Sequence, residues 1–446
     1  MVKQTNRRKF LRATTAAAGT TLIPYIFSSR QVQANSANDR LHLAAIGVGG
    51  QGRYIGRRAS ELGNVLACAD VDSSNAETFV AQLDGKCDIY TDYRKILERE
   101  DIDAITCGTP DHWHTKITVE AMRAGKDVYC EKPLTLTMDE SRRIMRVAKE
   151  TGRVVQVGTQ QRTEFKQLFL KAVAIARSGR LGERLHAQCS IDEANAGGPF
   201  PSKDVPSHLQ WDMWLGQAPA VDFCPERIGF DFRWWLEYSG GQVTDWGVHH
   251  MDIALWALGG SETGVVEVEG HGVFPGLPDT VNVLEFLDGR TKIPNQNNVA
   301  KSFECQMKLA NGNTIGMDSS KNEIIIEGEK GKIRVNRGGL TGKPVEDIAA
   351  SPSDVQWLNE EVRKLYRGMP LKSHMANFFH CIKTREMPIS DVWTHAHSVN
   401  ACHMANIAML LKRKIVFDQA EYQFVGDDEA NRFISRAQRR PWHILG

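Results

Sequence analysis

The chain has 446 residues, 41% of them hydrophobic, with 55 Lys and Arg against 54 Asp and Glu and a formal net charge of +1. This balance leaves no basic footprint for nucleic acid, and the length exceeds what one hydrophobic core supports, so two domains are expected. Nine cysteines, Cys68, Cys87, Cys107, Cys130, Cys189, Cys224, Cys305, Cys381 and Cys402, are odd in number, scattered and never paired as C-x-x-C, which predicts no structural disulfide.

Residues 1–34 read as a twin-arginine export signal. Arg7 and Arg8 stand in Thr5-Asn6-Arg7-Arg8-Lys9-Phe10-Leu11-Arg12, ahead of an apolar stretch over residues 13–27 and a Val32-Gln33-Ala34 cleavage site. Threonines, Gly19 and Pro24 dilute that stretch, which is too short and polar to span about 30 Å of hydrocarbon. Removing the segment takes away six positive charges and no acid, leaving a net charge of −5. The reading implies the twin-arginine export machinery as a partner, a periplasmic location, folding before export and no membrane span in the mature chain.

The first domain is expected over residues 41–160. Five apolar runs, at 43–48, 65–69, 104–107, 127–130 and 154–157, alternate with helical patterns, as in a parallel sheet wound with helices. One helix carries Trp113, Ile117, Ala121 and Ala124 on one face and stops at Gly125. The next opens with Thr137-Met138-Asp139-Glu140, a capping box. Residues 161–446 form a second α/β domain with a mostly antiparallel open sheet. Its elements are a helix at 165–178, strands at 185–191, 265–273, 280–286, 302–309 and 314–317, and a hairpin pairing 324–326 with 333–335. Helices at 374–384 and 392–411 precede a polar tail.

Gly47-Val48-Gly49-Gly50-Gln51-Gly52 fits G-x-G-x-x-G between the first strand and a helix. Glycines there let a pyrophosphate approach backbone N–H groups at the positive helix end. Asp70 ends the second strand 18 residues after Gly52, where its carboxylate can accept both ribose hydroxyls. Asp70 followed by Val71 disfavours a 2′-phosphate, so NAD is expected over NADP, with Arg53 the one cation able to reverse that preference.

Oxidising a secondary alcohol needs a proton acceptor, a group that stabilises alkoxide charge, and a carbinol carbon held against the hydride acceptor. Lys132, Asp245 and His249 are the candidates for the first two tasks. Asp245 and His249 are four apart, so on a helix they share a face, where the carboxylate would orient the imidazole. Thr109-Pro110-Asp111-His112-Trp113-His114, Glu131-Lys132-Pro133 and Gly240 through Asp252 together resemble the glucose-fructose oxidoreductase and inositol dehydrogenase family, Gfo/Idh/MocA, from Leu41 to about Trp442. The resemblance implies a Rossmann dinucleotide-binding domain followed by an α/β domain that supplies the substrate site and an oligomer interface. It also implies nicotinamide-dependent oxidation or reduction of a sugar or polyol. By resemblance His249 is the proton acceptor, Asp245 its orienter, and Lys132 the group that polarises the substrate oxygen, with Lys132 and His249 open to exchange.

Around them Glu131 is assigned to the nicotinamide ribose, and Thr109, Pro110 and His114 to the cofactor cleft, with a cis peptide before Pro133 able to aim Lys132. Trp211, Trp214, Trp234 and Trp235 offer either sugar-stacking faces or core. His374, His395, His397 and His403 read as packing residues, and adjacent His249 and His250 point apart on a helix, so no metal site is expected. The first functional expectation is a periplasmic oxidoreductase with tightly held cofactor, acting on a carbohydrate and assembling as a homo-oligomer. The alternative is an NAD-dependent glycoside hydrolase working by transient oxidation and elimination. A non-catalytic sugar-binding protein is disfavoured because every motif is intact.

Overall fold

The structure is a computed structural model that describes residues 40–83 and 86–444; the export signal expected over 1–34 lies outside the described residues. Six strands, β1 (His42–Ile46), β2 (Asn64–Ala69), β3 (Asp88–Tyr90), β4 (Ala104–Cys107), β5 (Asp127–Cys130) and β6 (Val155–Val157), form a parallel sheet in the order β3-β2-β1-β4-β5-β6. Strands β4, β5 and β6 are buried along their whole length, which is why they read as unbroken apolar runs. Strand β3 was not visible as such a run because Asp88 and Ile89 are exposed at the sheet edge. The strand order reverses between β1 and β4, and ligands bind at the carboxyl ends of such a switch point.

The helix Asp111–Arg123 buries Trp113, Ile117 and Ala121 and leaves through Gly125 at φ +79°. Ala124, expected on the same face, lies past the helix end and is exposed. The helix Met138–Thr151 lacks the expected capping box. Thr137 makes no side-chain cap, and Glu140, buried against the neighbouring helix, accepts from the Leu136 N–H at 2.8 Å and the Thr115 hydroxyl at 3.0 Å.

The second sheet contains β7 (Leu185–Ile191), β8 (Val265–Val273), β9 (Ser302–Leu309), β10 (Thr314–Ser319), β11 (Glu323–Gly328), β12 (Gly331–Val335), β13 (Leu340–Thr341), β14 (Ile415–Asp418) and β15 (Gln423–Phe424). Their order is β13-β12-β11-β7-β10-β9-β8-β14-β15. Strands β7 and β10 pair in parallel, and the other pairs are antiparallel. Helices Leu168–Arg177, Gly247–Ala257 and Val392–Leu411 pack on one face, while alternate residues of β9 point outward to solvent on the other.

Two expected elements are corrected. The stretch 280–286 is a turn followed by the short helix Val283–Leu287, because Asn282 caps it by accepting from the Glu285 N–H at 3.2 Å. The helix expected from 165 begins at Leu168, because Phe165, Lys166 and Gln167 take φ values of 57°, 54° and 60°, outside helical space.

The last residues are a strap and not the expected polar tail. After the helix Asp428–Arg432 the chain returns across the first domain. The Ile434 carbonyl accepts from the Asp139 N–H at 2.9 Å, and the His443 carbonyl accepts from Lys116 Nζ at 3.2 Å. Trp442 is buried edge-on to Trp113 with ring centroids 5.8 Å apart. Earlier in the same half of the chain, Gln156 donates to the His374 carbonyl at 2.7 Å and Arg385 pairs with Asp127 at 2.7 Å. The second domain thus buttresses the first across the boundary expected at 160/161.

Candidate active site

A cleft of about 580 Å³ opens at the carboxyl ends of β1, β4 and β5 and continues beneath the second domain. At one end, Gly47 turns at φ +71°, and a Cβ there would lie 2.6 Å from the Thr109 side chain. A Cβ on Gly52 would lie 1.7 Å from the Gly47 carbonyl oxygen, so Gly52 is a packing glycine and does not line the cleft. Around Gly50, by contrast, space is open, and a Cβ on Gly49 would meet only ordinary contact with the Asn75 side chain at 3.6 Å. The helix Gly50–Ser60 starts there with no side-chain cap and no acid in its first turn, leaving its N–H groups free for a phosphate.

Asp70 follows β2 directly at the cleft wall, where its carboxylate accepts from the Val48 N–H at 2.8 Å and the Asp72 N–H at 2.9 Å. Burial outweighs those bonds and raises its pKa to about 6. Arg53 does not line the cleft. The carboxylate is thus fixed beside the space left for a ribose, and the glycine loop, the uncapped helix and Asp70 fit a dinucleotide.

The chemical end begins at Glu131-Lys132-Pro133, whose Lys132–Pro133 peptide is cis. Glu131 is buried, and one oxygen accepts from Gln160 at 2.9 Å and Gln51 at 3.2 Å. Its other oxygen, Oε2, has no partner, and burial raises its pKa. That orphan acceptor is what a ribose hydroxyl would satisfy. His114 pins the two motif loops together. Its Nδ1 lies 2.6 Å from the Pro133 carbonyl and its Nε2 2.8 Å from the Thr109 carbonyl.

Lys132 Nζ forms an ion pair with Asp245 and also donates to the Asp245 carbonyl at 3.1 Å. Arg233 Nε donates to the same carboxylate oxygen at 2.9 Å. Burial would raise the Asp245 pKa, but the two cations outweigh it and hold the carboxyl below its usual range. The expectation that Asp245 orients His249 is therefore corrected. Asp245 closes the helix Gln242–Asp245 while His249 rides the separate helix Gly247–Ala257, and the carboxylate is spent on Lys132 and Arg233.

His249 lines the same cleft with Nδ1 unbonded. Burial, followed by the charges of Lys132 and Arg337, lowers its pKa well below the usual histidine value. At neutral pH it is a neutral imidazole, the form able to take a proton.

Three residues assigned no role from the sequence complete the site. Arg233 lies over Phe230 and Phe232, 4.5 and 4.8 Å from their centroids. Asp111 is buried in the cleft wall, accepts from the Ser239 hydroxyl at 2.6 Å, and is pushed by burial to a pKa of about 7. Arg337 reaches in from the turn after β12. Asp111 lay in the Thr109-to-His114 motif beside two histidines and Arg233 beside Trp234 and Trp235, where a carboxylate near histidines and a charge among aromatics were the available signals. For Arg337 the sequence held none.

The tryptophans divide. Trp214 lines the cleft, whereas Trp211, Trp234 and Trp235 belong to the second-domain core. His112 is structural, fully buried with Nε2 3.0 Å from the Trp214 carbonyl and a pKa lowered by burial to about 3. His374 bonds Thr163 and the Val157 carbonyl, at 2.9 and 2.7 Å, and His403 bonds Thr135 at 3.2 Å. Among the described residues, Cys107, His114 and Cys130 come within 4.8 Å of one another, but both His114 nitrogens are committed to carbonyls. All nine cysteines are buried and free.

Residues 41–159 match a family model described as an oxidoreductase family, NAD-binding Rossmann fold. Residues 197–285 and 287–444 match its C-terminal alpha/beta domain. An inositol 2-dehydrogenase of Klebsiella pneumoniae subsp. pneumoniae is 33% identical over 161 residues, covering 35% of this chain and 47% of that protein. A 2,7-anhydro-N-acetylneuraminate hydratase of Mediterraneibacter gnavus is 31% identical over 228 residues, covering 51% of this chain and 52% of that one. The chain thus spans about half the length of these curated relatives. Among solved structures, the WlbA dehydrogenase of Bordetella pertussis, in complex with NADH and UDP-GlcNAcA, superposes with a TM-score of 0.58 at 16% identity, covering 85% of this chain and 99% of that one.

Proposed function

We propose that this chain, which belongs to the Gfo/Idh/MocA oxidoreductase family, oxidises or reduces a hydroxyl or keto carbon of a sugar or polyol. The observation that carries the reading is the meeting of Lys132, Asp245 and neutral His249 in the cleft that the glycine loop opens. Bound there, NAD supplies the hydride acceptor or donor, held by the amides at Gly49 and Gly50, by Asp70 and by the orphan oxygen of Glu131. Lys132 donates to the substrate oxygen and stabilises developing alkoxide charge. His249 takes the hydroxyl proton on oxidation and returns it on reduction. Asp245 aims the lysine through its carboxylate and carbonyl, and Arg233 holds the same carboxylate in place, so Asp245 serves as a positioning residue. A screen of sugars and polyols at saturating NAD, read by NADH absorbance and product mass spectrometry, tests this. Absence of turnover on every class would reject it.

A second reading, NAD-dependent glycoside cleavage without net redox change, draws on the similarity to a hydratase, whose named reaction adds water and moves no electrons. Cleaved glycosides with no NADH accumulation would favour it. We further propose export to the periplasm through the twin-arginine route, on the strength of Arg7 and Arg8, with cofactor held tightly enough to travel. Replacing Arg7→Lys and Arg8→Lys together should strand active, nucleotide-loaded protein in the cytoplasm; equal export by fractionation would defeat the signal. The outward face of the second sheet is the proposed surface for a homo-oligomer, measured by light scattering.

A further inference from the structure

Among the described residues, Arg337 is a cation without a counter-ion in the wall of the reaction cleft. It sits in the turn between β12 and β13, where the Asn336 N–H donates to the Gly339 carbonyl at 3.0 Å. The Asn336 side-chain oxygen accepts the N–H groups of Gly338 and Gly339 at 2.9 and 3.0 Å. The turn is therefore fixed, and so is the root of the side chain. The guanidinium lies between two rings, 4.2 Å from the Trp246 centroid and 4.7 Å from that of Phe165. Trp246 in turn stands edge-on to the His249 ring at 5.9 Å. Phe165 reaches this position from three successive non-glycine residues in left-handed space, a conformation that persists only where the surroundings hold it, most often at functional sites.

The two acids whose charges act on Arg337 are Asp245 and Glu131. Neither pairs with it. Asp245 is bound by Lys132 and Arg233, and Glu131 accepts from Gln51 and Gln160. Among the described residues Arg337 makes no hydrogen bond or ion pair, and its buried Nε is unsatisfied. Lys132 and Arg233 share the one Asp245 carboxylate, Asp111 accepts from Ser239, and Glu131 accepts from Gln51 and Gln160, so no acid of the cleft is committed to Arg337. A half-buried guanidinium fork held against Trp246 and Phe165 beside His249 can receive a planar anion in two parallel hydrogen bonds.

We propose that Arg337 binds a carboxylate of the substrate, so that this site acts on an acid sugar or polyol in preference to its neutral counterpart. The proposal rests on the oxidoreductase reading for the identity of the site. A carboxylate suits the single fork better than a phosphate dianion, which would stand beside Asp245 with one cation free to receive it.

The test compares D-glucuronate and D-galacturonate with D-glucose, D-galactose and their 6-phosphates on the NAD-saturated full chain. NADH formation and calorimetric binding are measured separately. Wild type should favour the acids by about ten- to a hundredfold in kcat/KM, the range of a charge-assisted bidentate pair. R337M should erase the acid-to-neutral ratio, and R337K should keep part of it, with thermal melting confirming that both fold. Equal use of acid and neutral sugars, preference for the phosphates, or a loss in R337M shared equally by both would overturn the proposal. So would a failure of the acids to bind at all. Arg337-dependent binding of the acids without turnover of any probe would reject the redox reading and leave the carboxylate assignment standing.

Discussion

Asp245→Asn separates two accounts of the catalytic cluster. If the carboxylate oriented His249, its loss would act through the imidazole. The structure instead spends it on Lys132 and Arg233, both in the cleft wall and both within bonding distance of one oxygen. The amide keeps the shape and removes the charge. A hydrogen bond to an ionised partner contributes about 1.5–3 kcal/mol, and about 1.36 kcal/mol is tenfold in rate. The loss in kcat/KM should therefore be about ten- to a hundredfold if the bond serves only to aim Lys132. Repeated in a Lys132→Met background, Asp245→Asn should cost less than about threefold, because the group it acts through is gone. Four variants in a steady-state NAD-reduction assay complete the cycle. Equal fractional losses in both backgrounds would refute the lysine-positioning argument. Stability supplies an independent reading: the folded pKa of Asp245 lies below its unfolded value near 4, so its contribution is complete above about pH 4 and lost as pH falls through the folded value. Asp245→Asn should remove that acid-side loss from a denaturant titration series.

Lys132→Ala and His249→Ala should each lower turnover by at least about a hundredfold, with NAD affinity by fluorescence titration changing far less; near-wild-type turnover removes that residue from the mechanism. Asp70→Ala should weaken NAD much more than NADP, since it deletes a ribose acceptor and, for NADP, a repulsive charge; comparable dissociation constants for both would show that Asp70 does not read the ribose. Asp111 has a folded pKa of about 7, above its unfolded value, so its neutral form stabilises the fold fully below about pH 4, and that contribution is lost as pH rises through about 7. Asp111→Asn should flatten this decline in Tm between about pH 4 and 7, and an unchanged slope would mean the carboxyl is solvated.

The glycine loop, Asp70 and the Glu131-Lys132-Pro133 segment were legible because backbone geometry or local chemistry demands those residue types within a few positions of a strand end. The parallel sheet was legible for a similar reason, since strands covered on both faces are unbroken apolar runs. The partner of Asp245 was not, because spacing along a helix proposed His249 while the fold brought Lys132 from 113 residues away. Arg337 was hidden for the same reason, a lone arginine in a hairpin turn whose environment is made by Phe165 and Trp246. The stretch at 280–286 misled because alternating apolar residues mimic a strand when a single asparagine cap decides for helix.

The strap that carries Trp442 back onto Trp113 has a consequence in time. A ribosome releases the first 160 residues long before the segments that close over them: Ser390, whose carbonyl accepts the Val157 N–H at 2.9 Å, and Ile434, whose carbonyl accepts that of Asp139 at 2.9 Å. Contacts separated by hundreds of residues form late and slowly. The emerging nucleotide domain can pack the apolar face of the helix Asp111–Arg123 on its own sheet, but Trp113 stays without the Trp442 ring until nearly the whole chain has been made. Folding of this protein is therefore expected to be completed only at the end of synthesis, and a chain cut before the strap should leave the first domain less stable than it is in the full chain.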